Sequence, residues 1–175
     1  QPLCQRRSAG PLWLLAVLCL FCAAPASAVD GGQTPGLLNL ASLGFEPAAP
    51  PSVDLAIGAA EFVAAALAVQ QSDPDLASLL ANVDAFYLRQ YAPPDASTLF
   101  AALLLPGAIV ADGWVPVQAE TQGSRAVTVH VKLDGLLVSG LTVIAIDPGR
   151  EVSIANVVGD IQPQQLVSLG LPIPH

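Results

Sequence analysis

Apolar and polar positions follow one period in the first half of the chain and another in the second. Over residues 59–71, Ala59, Phe62, Val63, Ala66 and Leu67 recur at i, i+3, i+4, i+7 and i+8. That spacing predicts a helix with a single apolar stripe turned toward a core. Asp73-Pro74 then offers an N-cap and a proline at the first helical position, so a second helix is expected, with Leu76, Leu79, Leu80 and Val83 facing inward. Phe86 to Tyr91 reads as a strand from its bulk and aromatic content. Pro93-Pro94 break the chain before Asp95, which caps a third helix through Leu99, Phe100, Leu103 and Leu104. Pro106-Gly107 should interrupt that helix or end it one turn later. Leu99 to Ala111 carries no charge but is too short to span a membrane, and it reads as a buried helix.

From Trp114 the period changes to two. Val115 to Glu120 is one expected strand, and Gln122-Gly123-Ser124 a loop. Val127, Val129, Val131 and Leu133 then alternate with Ala126, Thr128, His130 and Lys132. Asp134-Gly135 predicts a two-residue hairpin turn that sets Leu133 opposite Leu136, Val131 opposite Val138 and His130 opposite Ser139. Leu137 opposite Lys132 is the misfit of that register. Gly140 suggests a bulge, and Leu141 to Ile146 is apolar at both parities, as a central strand covered on both sides would be. Asp147-Pro148-Gly149-Arg150 makes a second turn, Val152, Ile154 and Val158 continue the alternation, and Pro163 to Leu169 closes with a short helix whose Leu166 and Leu169 face inward. Upstream, Leu37 to Phe45 is apolar without a period, an extended or docked segment, and Glu46 to Ser52 is a loop with three prolines before a short strand, Val53 to Ile57. Helices first and strands after define an α+β class: an antiparallel sheet of about four to six strands with helices packed on one face.

The first 28 residues stand outside that fold. Arg6 and Arg7, the apolar run Leu12 to Ala24 and the small residues Ala26-Ser27-Ala28 match a signal peptide, an N-terminal signal helix cleaved near Ala28. The expected organisation is 1–28 signal peptide, 29–36 flexible leader, 37–170 a single α+β domain and 171–175 a carboxy-terminal tail, with a periplasmic or secreted destination. Cys19 follows Leu18 and Cys22 follows Phe21, neither a small residue, so lipoprotein anchoring is not expected. Cleavage would remove Cys4, Cys19 and Cys22 together, leaving a chain without thiols or disulfides whose stability rests on packing. It would also leave four basic residues against fourteen acids, more negative than the whole chain's −8. Such a charge repels phosphate backbones, and nucleic acid is not an expected partner. No integral membrane span is expected in the mature chain.

The carboxy-terminal half carries a resemblance. Gly113-Trp114 leading into a strand, Leu133-Asp134-Gly135, and Gly140 to Gly170 with its Asn156-Val157-Val158-Gly159-Asp160-Ile161 element, Pro163 and Leu166, resemble the bacterial family called domain of unknown function 4252. Ser72-Asp73-Pro74-Asp75-Leu76 is similar to the joint between that family's paired helices. The likeness covers roughly residues 37–170. It implies an envelope location and an α+β fold, and it brings no activity with it. The family's association with envelope-stress regulatory genes implies one further reading, an accessory partner of a membrane-bound signalling system. Two features depart from the family: fewer Lys, Arg and Glu in the helices and strands, and Pro106-Gly107 where the third helix usually runs unbroken to Gly-Trp.

Few residues offer chemistry. A nucleophile triad needs a histidine base. His130 falls on the polar side of a strand and reads as an ordinary exposed residue, while His175 is terminal. With two histidines and no cysteine in the mature chain, neither a metal centre nor a cofactor is expected. Asp73, Asp75, Asp84 and Asp95 lie near helix ends, Asp134 and Asp147 in turns, and Glu61 on the polar side of its helix. No spacing forces two acids onto one surface. Asn156, Gly159 and Asp160 are the candidate interaction element, read as a strand end where Asn156 and Asp160 organise a turn into the last helix, or else as a polar edge that contacts a partner. The expected function is a non-catalytic binding domain of the bacterial envelope, with an envelope protein as its partner and an exposed apolar patch or groove as its mark. A periplasmic hydrolase using carboxylates is the alternative, marked by two acids converging in a pocket.

Overall fold

A computed structural model describes residues 34–168, and the expected signal peptide, most of the expected leader, Leu169 and the tail lie outside them. The element order is β1 (Val53–Gly58), α1 (Ala59–Val69), α2 (Pro74–Ala81), β2 (Val83–Tyr91), α3 (Ala96–Ala111), β3 (Val115–Gln122), β4 (Arg125–Asp134), β5 (Leu137–Asp147), β6 (Glu151–Ile161) and α4 (Pro163–Ser168). All six strands form one antiparallel sheet in the order β1-β2-β6-β5-β4-β3. The class is α+β.

The helices divide between the two faces of this sheet, and the expectation of one covered face is corrected. Val129 lies opposite Val143 and Thr128 opposite Ile144, so neighbours along β4 and β5 point to opposite sides. Val129, Val131, Leu141 and Ile161 pack with Phe62 of α1, Leu79 and Leu80 of α2, and Leu166 of α4. Ile144, Ile146, Val152 and Ile154 pack on the other side with Ala102, Leu105 and Ile109 of α3, with Trp114, and with Leu38, Leu40 and Phe45. The central pair β5–β6 is apolar at both parities because both of its sides are covered.

The segment around Leu37 to Phe45 is docked, a strap of turns across the α3 face. Its backbone closes on itself through Leu43 N–H to the Leu40 carbonyl and Gly44 N–H to the Ala41 carbonyl. Phe45 meets Tyr91 edge-on at 5.6 Å between ring centroids. Where the strap begins, Gly36 crosses directly over Gly140 of β5. A Cβ on Gly140 would lie 2.4 Å from the Gly36 carbonyl oxygen and 2.7 Å from the Trp114 ring. Only glycine allows that approach.

The same spot explains the hairpin register. Gly135 (φ 60°) and Leu136 form the turn, with Asp134 opposite Leu137 and Leu133 opposite Val138. Gly135 takes the first central position, which a type II′ turn gives to glycine. The turn is centred one residue later than the expected Asp134-Gly135, so the partner of Leu133 moves two positions, from Leu136 to Val138. Ser139 is then bulged out, Gly140 comes opposite Lys132, and Val131 faces Leu141. The misfit of Leu137 with Lys132 disappears, and Leu136 is left 90% exposed at the turn.

Helix caps follow the sequence. Asp73 accepts from the Leu76 N–H at 3.0 Å and Asp95 from the Thr98 N–H at 2.7 Å. The stripe expected on α1 is only half buried: Phe62 and Ala66 face the core, whereas Val63 and Leu67 are exposed. They line the open groove beside α2. Of the two outcomes expected at Pro106-Gly107 the second holds: α3 is not interrupted there and ends one turn later, at Ala111, after sixteen residues. Proline forfeits a hydrogen bond to the Ala102 carbonyl, but Leu105 and Ile109 on either side of it are both fully buried and hold the turn in place. Replacing Gly140 with alanine is expected to lower the unfolding free energy by about 1–3 kcal/mol, measured by urea titration followed through tryptophan fluorescence.

Candidate functional site

Three features of this fold are candidates for chemistry or recognition: a buried polar row, an apolar helix face and a shallow groove. The row runs across the sheet on the α3 side. Tyr87 of β2 lies opposite Asn156 of β6, Asn156 opposite Thr142 of β5, and Thr142 opposite His130 of β4. Asn156, Thr142 and His130 are each at most 4% exposed. The Asn156 side chain uses both ends: Oδ1 accepts from the Leu38 N–H at 3.0 Å, and Nδ2 donates to the Gly36 carbonyl at 3.1 Å and to Thr142 Oγ1 at 3.1 Å. It sits in mid-strand and pins the strap. It organises no turn into the last helix, and that expectation is corrected.

The three residues singled out in the sequence are not brought to one surface. Asn156 faces the strap. Gly159 faces the other side of the sheet, where a Cβ would lie 2.1 Å from the Asn82 carbonyl oxygen at the joint between α2 and β2. Asp160 is exposed near the end of β6. Both uncharged members serve close approach of backbone.

His130 is 2% exposed, which overturns the expectation of an ordinary exposed strand residue. The α3 layer and the strap bury this side of β4, an effect that alternation within one strand cannot reveal. Among the described residues, its Nδ1 and the Thr128 Oγ1 have no hydrogen-bond partner. Burial pushes the imidazole pKa below its ordinary 6.5 by penalising the charged form.

The carboxylates are spread out. Asp54 pairs with Arg89 at 3.4 Å, Asp112 with Lys132 at 3.8 Å and Asp147 with Arg150 at 4.0 Å, all at the surface. Donation by the Thr98 N–H, and then by the Ser97 hydroxyl, holds the Asp95 carboxyl below the usual carboxylate range. Among the described residues, no three His, Cys, Asp or Glu side chains converge as a metal would require. Nor does any described helix have the length and apolarity to cross a membrane.

The apolar face lies on α3. Thr98, Ala102, Leu105 and Ile109 point into the core. On the opposite side, Phe100 is 65% exposed, Leu103 and Leu104 are each 58% exposed and Val110 is 45% exposed. The expectation of a buried helix is thus corrected: one side is core and the other is open. Phe100, Leu103, Gly107 and Val110 follow the three-four spacing of a helix-packing seam. An added Cβ on Gly107 would meet nothing within 4 Å, so the glycine forms a notch in that seam. Sequence reasoning missed this surface because α3 is apolar all round and its own period cannot say which side is covered. The small and polar residues Ala102 and Thr98, at the close-packed positions, were the available signal. A second, smaller surface is the groove of about 280 Å³ between α1 and α2, lined by Val63, Leu67, Gln70, Pro74 and Ala77 among others.

Comparison with protein-family models, with curated proteins and with solved structures finds no match.

Two measurements check the polar row. Asn156→Ala strands the Leu38 N–H and the Gly36 carbonyl inside the fold, at about 1–3 kcal/mol for each buried group left unpaired. The variant should lose stability by at least that much, with accelerated exchange of the Leu38 amide in hydrogen-exchange mass spectrometry. For His130, the unfolded chain takes up a proton near pH 6.5 and the folded one only at lower pH. Stability should therefore be complete above pH 6.5 and decline as the pH falls below it. Urea midpoints at successive pH values should show this decline, and His130→Leu should flatten it.

Proposed function

We propose that this protein is a non-catalytic interaction domain of the bacterial envelope, periplasmic or secreted after cleavage near Ala28, and that it docks protein through the outer face of α3. The observation that carries this reading is the exposed, uncharged run of Phe100, Leu103, Leu104 and Val110 on a chain with net charge −8. Lone exposed apolar residues are ordinary, but four large ones on one helix face form a patch of the size that marks an interaction surface. No charge lies between Asp95 and Asp112, so docking here desolvates no ion. The buried polar row supports the same reading: its groups hold the strap and the sheet and open into none of the surfaces described above. Kinship with domain of unknown function 4252 is part of the proposal and rests on the Gly113-Trp114 and Asn156-to-Ile161 elements.

The test is site-specific photo-crosslinking in the intact envelope, with a photoreactive residue at Phe100 or Leu103 of α3, or at the solvent-facing Asp84 of β2 as a control. Protein adducts are expected from the α3 positions and not from the control. Adducts from neither, with the folded protein present, would remove the docking reading.

A further inference from the structure

We infer that the protein seated on α3 is a second copy of this chain, in a two-fold antiparallel pairing of the two α3 helices. This rests on the docking reading above and names its occupant. The argument begins with the distribution of bulk along the seam. In an antiparallel pair, residue numbers that face each other have a constant sum. Setting Leu103 opposite the copy's Leu104 places Phe100 opposite the copy's Gly107, and by symmetry Gly107 opposite the copy's Phe100. The largest side chain of the face then meets its only vacancy, twice, in a single register. Phe100 is 65% exposed, and nothing lies within 4 Å of a Cβ on Gly107, so knob and notch are both open in the isolated chain. Farther out, Ala96 meets the copy's Ala111, small against small. A surface complementary to itself about an axis is what an isologous dimer requires.

The seam carries no charge between Asp95 and Asp112, so pairing here buries no ion. At the end of α3, Asp112 is engaged within its own chain, where Lys132 Nζ approaches its carboxylate at 3.8 Å and donates to its carbonyl. The net charge of −8 on each copy opposes association, so salt should strengthen the pair.

Area sets the strength. The exposed apolar side chains amount to a patch on the order of 400 Å² on each copy, about half the standard size per partner, so the association is weak and transient. Dimerisation through α3 leaves the groove between α1 and α2 free, since it lies in the layer on the other side of the sheet.

Sedimentation velocity on the purified protein, over about 1–200 µM, tests the pairing through a size swap. The wild type is expected to show a reversible monomer–dimer equilibrium within that concentration range. Gly107→Phe, which fills open space in the monomer, should weaken it at least about tenfold, as should Phe100→Ala. Combining the two moves the knob to the other side of the notch and should restore most of the affinity. Thermal melts of each variant check that the monomer is intact. A dimer that ignores both single changes would place association elsewhere, for instance in the amino-terminal apolar run, and would overturn the inference. A strictly monomeric wild type would also overturn it. In that case, photo-adducts from Phe100 with another protein would keep the docking reading while rejecting the second copy. Binding of the monomer to neutral phosphatidylcholine vesicles, lost in Leu103→Glu, would replace the copy with a lipid surface.

Discussion

The fold depends on one close approach, in which the strap's first residue crosses β5 with no side chain between the two backbones. Gly36 and Gly140 make the crossing sterically feasible, and Asn156 makes it specific by bonding the backbone on both sides of it. Thr142, Asn156's neighbour across the β5–β6 pair, completes the set. Once the strap is pinned there, Leu38, Leu40 and Phe45 come down on Ile144, Ile146, Val152 and Ile154. Half of one face of the sheet is thereby covered without a helix. The bulge at Ser139 belongs to the same constraint, because it brings the glycine under the crossing.

Covering the remaining half falls to α3, and this explains the shape of the molecule's surface. The opposite face is shared by three helices, of which α1 and α2 also pack on each other. On the strap side one helix must span the sheet from β2 to the far edge at β3. It presents Thr98, Ala102, Leu105 and Ile109 inward, and no described residue covers its outer side. A helix in that position needs only one apolar side, and an ordinary surface helix would carry Lys and Glu on the other. Here the outer side keeps Phe100, Leu103, Leu104 and Val110, with a glycine among them. The excess apolarity is the physical content of the docking proposal, and the glycine among bulky neighbours is that of the dimer.

The polar row beneath this layer acts in the opposite sense. Burying Asn156, Thr142 and His130 contributes less than apolar side chains of the same volume would, but Asn156 selects one position of the strap among many sliding alternatives. Burial holds the His130 pKa below 6.5, so the row is uncharged near neutrality, and among the described residues its Nδ1 has no partner.

Local signals read from the sequence survived into the structure wherever the deciding interaction lies within a few residues. The Asp73 and Asp95 caps, the helix restart at Pro74, the period-two pattern of β4, the turn at Asp147 to Arg150 and the α+β class are all of this kind. Readings failed wherever a distant element decides. A strand's alternation separates two sides but does not say that both are covered, so by itself it leaves His130 in solvent. A uniformly apolar helix has no period to orient it, so nothing in the α3 sequence marks its outer side. Asn156 and Gly159 were visible as a pair of unusual residues in a strand, yet their roles depend on backbone more than seventy positions away. Sequence by itself determined which segments are helices and strands, because capping, propensity and period act through near neighbours. Only the tertiary structure decided which surfaces are shared, since burial is a property of what packs against a residue and not of the residue.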